Sequence, residues 1–483
     1  MGNTIHERAG RARRSPGRGA RASLLAGALL LAGCGQDLTV PDYNYGSLQD
    51  LQNNPTNAAV SATVVGLIHT SRQNMDRLVL LGGHPGREGY YFDPNEPRYV
   101  RQLVAGTPDA SDFTGSVYWT IPYANVRAAE IVLSVLQNPR LTFSDAEREG
   151  IRGFAKTTKA YDLLNQLQFR EKIPVTVSED PTEPAPLAER AAAYTEIARL
   201  LDEGKAHLDK AGAGFAFPMG SGYNQYGFNT PAAYAQVNRA IKARLEAYRT
   251  SETGRSATGY QAVLAALGGT FLVVDRAQLN RGAYHAFSSG TGDLANALSD
   301  PSGKTVADPR LRTDAELQAG GQRDARYLAK VDSGFSNALL DLRSDLRFSL
   351  YLTKPFYGSG QKASPIPLVR NEELILLRSE ARWFTGDRPG AMADLNFIRQ
   401  NSGNLAPIAQ PASDDAFITA LLKERRYSLM FEGAHRWIDH RRFGRLRQLD
   451  PTNAARPGDK VFNFFPYPTA ECDARGISPC VGS

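Results

Sequence analysis

After about residue 55, apolar residues recur at intervals of three and four along most of the chain, and each such stretch is bounded by Gly, Pro, Asn or Asp. That period is the signature of amphipathic helices. It predicts helices over 57–81, 111–136, 144–169, 187–208, 231–250 and 256–267. The third opens on Ser144-Asp145-Ala146-Glu147, a capping-box pattern, and the Pro-rich stretch 174–186 separates it from the fourth. From Phe271 to Pro367 the period gives way to Gly, Ser, Asp and aromatic residues with brief alternations such as 347–352. Long loops with short strands are expected there, and loops of that length are more often functional than incidental. Regularity returns with helices over 371–385 and 389–401, joined by Gly386-Asp387-Arg388, and with a helix from Ser413 that leads into a charged segment ending at Gly444. Helix pairs with tight turns cannot bury their apolar faces singly, so several are expected to stack.

The first residues follow a different pattern. Arg8, Arg11, Arg13, Arg14, Arg18 and Arg21 stand against Glu7 and precede an apolar run from Ala22 to Ala32, the layout of an export signal. Eleven apolar residues are too few to span a bilayer, which takes about 20. The run ends in Leu31-Ala32-Gly33-Cys34, which resembles the lipobox of bacterial lipoproteins. The resemblance implies removal of residues 1–33 and a diacylglycerol on Cys34; the polar stretch that follows reads as a tether over 34–55, and 56–483, with no run of strands to mark a second domain, is expected to be one domain. The discarded segment holds five of the six net positive charges of the whole chain. The mature protein is therefore near neutral, which gives no support to nucleic acid as a partner. Cys472 and Cys480 remain, flanking a turn-rich segment. They are expected to close a small disulfide loop, since no further ligand stands at zinc-like spacing beside them.

The charged segment runs Lys423-Glu424-Arg425-Arg426-Tyr427-Ser428-Leu429-Met430-Phe431-Glu432-Gly433-Ala434-His435-Arg436-Trp437-Ile438-Asp439-His440-Arg441-Arg442-Phe443-Gly444. On a helix, Glu432 and Arg436 would lie four apart and Arg436 and Asp439 three apart, so their charges would pair on one face. Gly433 would permit a bend, and Trp437 and Phe443 would supply buried area. Here the sequence resembles the SusD/RagB family of outer-membrane lipoproteins of nutrient uptake. Glu424, Arg425, Glu432, Gly433, Arg436, Trp437, Asp439 and Arg442 match its C-terminal pattern. The pair 371–399 resembles the family's last repeat-type helix pair, and Phe464-Phe465-Pro466-Tyr467-Pro468-Thr469-Ala470-Glu471 its closing segment, with Tyr467 where Ile is usual. The extra cations of His435-Arg436 and His440-Arg441 and the ending at Cys472 to Cys480 depart from the pattern. The resemblance implies a mainly α fold of tetratricopeptide-like helix pairs with a loop-rich irregular region at about 271–367. It also implies a TonB-dependent, SusC-like outer-membrane transporter as partner, and an oligosaccharide or peptide ligand. The matched ions are expected to be structural or partner-facing.

Glu432, His435 and Asp439 at i, i+3 and i+7 offer three metal-type ligands, but Arg425, Arg436 and Arg442 stand among them and would repel a cation. No metal or cofactor is expected. No pair of carboxylates or triad is recognisable in the sequence, and no catalytic residue is expected. A sugar-binding face calls for aromatic planes, and Tyr90, Tyr91, Phe92 and Tyr99 in the segment 82–100 are the first candidates. Tyr223 and Tyr226, with Phe228, are the second. The competing role for these rings is to pin loops onto the helical core. A periplasmic repeat scaffold and a lipid-anchored hydrolase are the alternatives to nutrient binding.

Overall fold

The computed structural model describes residues 48–116, 118–178, 184–352, 361–450 and 455–481. The export signal, Cys34 and the first part of the tether lie outside the described residues. The body begins at helix α1 (Leu48–Asn53), which buries Leu51. The helix expected over 57–81 is two, α2 (Asn57–Arg72) and α3 (Met75–Gly83). They are separated because Gln73 is extended and Asn74 turns left-handed at φ 61°, a conformation that Asn tolerates better than most residues. The next expected helix is also divided: a π-helical turn over Asp112–Ser116 and α4 (Thr120–Val135) flank Tyr118 at φ 59°.

The paired helices follow. α5 (Asp145–Phe169) starts at a completed capping box, in which Ser144 and Glu147 bond reciprocally. It packs along α6 (Arg190–Lys210), and the two come close where Gly153 faces Gly204. A Cβ on Gly153 would stand 2.9 Å from the Gly204 carbonyl and 2.6 Å from Leu208. After the single turn α7 (Ser221–Asn224), α8 (Pro231–Glu252) pairs with α9 (Ala257–Leu267). Near the end, α12 (Asn371–Phe384) pairs with α13 (Arg388–Asn401), following the short α10 (Arg310–Thr313) and α11 (Ala325–Lys330). The chain closes with α14 (Asp414–Ser428), α15 (His435–Arg442) and α16 (Thr469–Arg475).

The loop-rich region contributes most of three antiparallel ribbons. β1 (Gly89–Tyr91) pairs with β3 (Thr305–Ala307), β2 (Gly282–His285) with β6 (Ile366–Arg370), and β4 (Val331–Leu339) with β5 (Leu342–Phe348). One extensive apolar core runs through the helix pairs, a second lies between α12, α13 and α14, and a third joins Tyr90, Phe92, Val100 and Val104 to Val306 and Leu342. The whole is a mainly α, tetratricopeptide-like architecture carrying an irregular β-containing side.

One carboxylate is buried in the first core with no cation bonded to it among the described residues. Asp162 on α5 accepts hydrogen bonds from Ser71 Oγ at 3.3 Å and Asn125 Nδ2 at 2.6 Å, and burial pushes it up to about 7 from an ordinary value of 3.8. A carboxyl raised on folding favours the native state below its unfolded value, and that contribution is lost as pH rises through about 7. Asp162→Asn should therefore flatten the pH dependence. Between about pH 5 and about pH 8, the native chain should lose roughly 2–3 kcal/mol more than the variant in urea unfolding.

Candidate functional site

The first aromatic set does not form an exposed platform. Tyr90 and Phe92 are buried in the third core, stacked with ring centroids 5.9 Å apart, and the Tyr90 hydroxyl donates to Asp308. Tyr99 is buried between His84, 5.3 Å away and stacked, and the edge of Phe113 at 4.8 Å. Tyr91 alone of the four is partly exposed. The expectation of a free loop fails because β1 is paired with β3 and a π-helical turn at Tyr99–Val104 folds the segment onto the body. Among the described residues no Phe, Tyr or Trp is exposed.

The second set lies at a cleft. Tyr223 and Phe228 are buried as well, so Tyr223 too fails as an open platform, while Tyr226 is half-buried and stacks on Tyr284 at 5.7 Å. The segment Pro218–Tyr223 nevertheless forms one wall of a cavity of ≈ 320 Å³, within the size range of ligand pockets. Val65, Ile68, His69 and Arg72 form the opposite wall, their spacing placing all four on one face of α2. Tyr284, His285 and Ala286 at the end of β2, with Asp293 beyond, complete it. Gly222 is required by the close approach of these walls: a Cβ there would stand 1.9 Å from the Tyr284 carbonyl oxygen.

The cleft has two neutral imidazoles and one ion pair. Burial, with Arg72 and Arg244 nearby, pushes His285 down to about 3, and its Nε2 lies 3.0 Å from the Tyr161 hydroxyl. Burial and Arg72 also lower His69, against the opposing charge of Asp293. Arg72 Nη2 donates to Asp293 Oδ1 and Arg72 Nη1 to the Ala286 carbonyl. The aliphatic side chains of Val65, Ile68 and Met219 line the rest. Sequence reasoning missed the α2 wall, although His69 and Arg72 interrupt an otherwise apolar helix face, and it missed Asp293, which is 221 residues from its partner.

The charged motif is buried structure. The helix expected to run through it breaks between α14 and α15, where Phe431 turns left-handed at φ 56°. The pairings expected within one helix give way to longer-range ones. Glu432 is held by Arg370 Nε at 2.8 Å and by Lys330 Nζ at 2.9 Å, and Arg436 donates to the Arg87 carbonyl at 2.6 Å. Asp439 accepts from Arg425 Nε at 2.7 Å and Arg442 Nε at 2.8 Å. Burial alone would raise Asp439, but these two guanidiniums outweigh it and hold it down at about 2. Arg442 also grips Glu380 with both nitrogens of its fork, at 2.6 and 2.7 Å. Glu424 is bound by Arg326 at 2.7 Å and by Arg399. Trp437 is enclosed by Phe169, Phe462 and Phe465, all at near-perpendicular or steep ring angles, and its Nε1 donates to the Phe462 carbonyl at 3.0 Å. Glu432 and Asp439 are thus occupied by cations, and burial pushes His435 down to about 4. Among the described residues no group of three or more His, Cys, Asp or Glu is arranged to hold a metal ion.

Cys472 and Cys480 are bonded, their Cα atoms 5.9 Å apart, which ties α16 to the strand-like bridge between Asp109 and Val481. Among the described residues no helix is long and apolar enough to cross a membrane.

Residues 346–473 match the SusD family model. No curated protein sequence matches the chain. Among solved structures, a SusD superfamily protein from Bacteroides vulgatus superposes with a TM-score of 0.65 at 15% identity, covering 86% of this chain and 97% of that one. NanU of B. fragilis superposes with a TM-score of 0.63 at 14% identity, over 90% and 98% of the two chains. A laminarin-binding SusD-like protein gives 0.59 at 16% identity, over 86% and 97%. The buried motif thus lies inside the segment that matches the SusD family model, and the chain shares the fold of SusD superfamily structures over nearly its full described length.

Proposed function

We propose that this protein is a lipid-anchored binding subunit, facing the cell exterior, that receives a nutrient ligand and passes it to a TonB-dependent, SusC-like outer-membrane transporter. The family match supports the proposal: the segment 346–473 that matches the SusD family model is joined, in one chain, to a lipobox-like sequence ending at Cys34. The cleft between α2 and Pro218–Tyr223 is the ligand seat in this account, since it combines adequate volume, an aliphatic wall and an ion pair at its rim. Oligosaccharide and peptide are both admitted as ligand; the laminarin-binding neighbour lends support to the first.

Protease treatment of intact cells tests the orientation. The native chain should be cut, and Cys34→Ser should leave the membrane fraction. Protection of a correctly anchored chain would instead place it in the periplasm as a scaffold. Product formation on glycan or peptide panels would make it a hydrolase.

A further inference from the structure

The ions of the cleft are arranged unequally. Arg72 is firmly placed: its side chain is 14% exposed, and it is held by the Ala286 carbonyl. Its partner Asp293 is 35% exposed and follows Ser288, Ser289, Gly290 and Gly292, the last at φ 82°. Asp293 reaches Arg72 through Oδ1, which also accepts from the Leu294 backbone N–H at 2.8 Å. Arg72 Nε is buried and has no hydrogen-bond partner. The Nε and Nη2 edge of a guanidinium is suited to both oxygens of one carboxylate, and here that edge is half used.

We propose that Arg72 is the receptor for a carboxylate on the ligand, with Asp293 as the resident group that the ligand displaces. The proposal rests on the cleft being the ligand seat. A partly exposed ion pair of this kind contributes little to stability, so exchanging Asp293 for a carboxylate that fills both Nε and Nη2 exchanges a weak contact for a stronger one. Among the described residues lining the cleft no other Lys or Arg competes for the ligand, and burial disfavours the charged form of both imidazoles. Val65, Ile68 and Met219 then take the less polar side of the same molecule. The ligand class is a small polar molecule with one carboxylate at its end, either the uronic acid of a glycan or the terminal carboxylate of a short peptide.

Calorimetric titration of the mature chain with four probes tests this: trigalacturonate and its methyl ester, and trialanine and its amide. In one of the two pairs the acid should bind about ten-fold tighter than its neutral counterpart, and that pair identifies the source of the carboxylate. Arg72→Gln should abolish the preference. Asp293→Asn, on an exposed segment where folding is not at stake, should tighten the acid by roughly three-fold or more by removing the competitor. Equal binding of acid and neutral probes, or a preference that survives in Arg72→Gln, would overturn the carboxylate proposal and leave nutrient binding intact. Failure of both acids to bind the native chain and Asp293→Asn would overturn it too, while nutrient binding itself is judged separately by partnership with the transporter.

Discussion

Trp437→Ala should lower stability by about 3–5 kcal/mol, the cost of emptying a fully buried aromatic site. The indole is surrounded by Phe169, Phe462 and Phe465 and is covered by the Arg441 guanidinium 4.7 Å above it. Removal also takes away the donor to the Phe462 carbonyl. Trp437→Phe keeps most of the packing and loses the hydrogen bond, so it should cost roughly 1–2 kcal/mol. Urea unfolding measures both, and any loss of ligand binding should follow the loss of folded protein. A Trp437→Ala protein of native stability that no longer binds ligand would mean that the motif contacts ligand.

Asp439→Ala should be comparably damaging, by about 3–5 kcal/mol, because it strands one buried cation and takes a partner from a second. Arg442 retains Glu380, but Arg425 has little else: both of its Nη atoms are buried without a hydrogen-bond partner. The effect should grow as pH rises from about 2 to about 4 and then level off, since a depressed carboxylate stabilises the fold above its unfolded value and ceases to do so as it protonates. As a contrast, Asp209→Ala breaks the exposed Lys205–Asp209 pair and should shift stability by no more than about 0.5 kcal/mol. Near-equal costs for the two variants in denaturant titrations would show that the motif network is dispensable to the fold.

The helices were legible because each buries a face of its own sequence at a helical period, as α5 and α8 do. Their interruptions were not. Phe431 is left-handed although Gly433 stands two residues away, and the reason lies far off in the chain: its ring stacks on Phe348 at 3.8 Å and its carbonyl accepts from the Tyr351 hydroxyl at 3.0 Å. A local pattern carries no trace of either contact. The aromatic residues illustrate the same limit. Tyr90 and Phe92 look like loop residues beside Gly and Asp, yet pairing of Tyr90 with Val306, across the loop-rich region, turns them into core. Tyr223 was found for its glycine flanks, which do mark a close approach, but its role is to build a wall. The residue types of the motif suggest ion pairing, but the pairs expected along one helix do not form, because the partners Arg370, Lys330 and Glu380 come from other elements and could not be assigned by spacing along one helix.

Purification of the native, membrane-extracted chain in mild detergent, followed by mass spectrometry of everything that accompanies it, tests the proposed function most directly. The expected result is recovery with a TonB-dependent outer-membrane channel, and a small ligand in the same complex. Recovery of the chain without any such channel, or with periplasmic assembly proteins in its place, would contradict it.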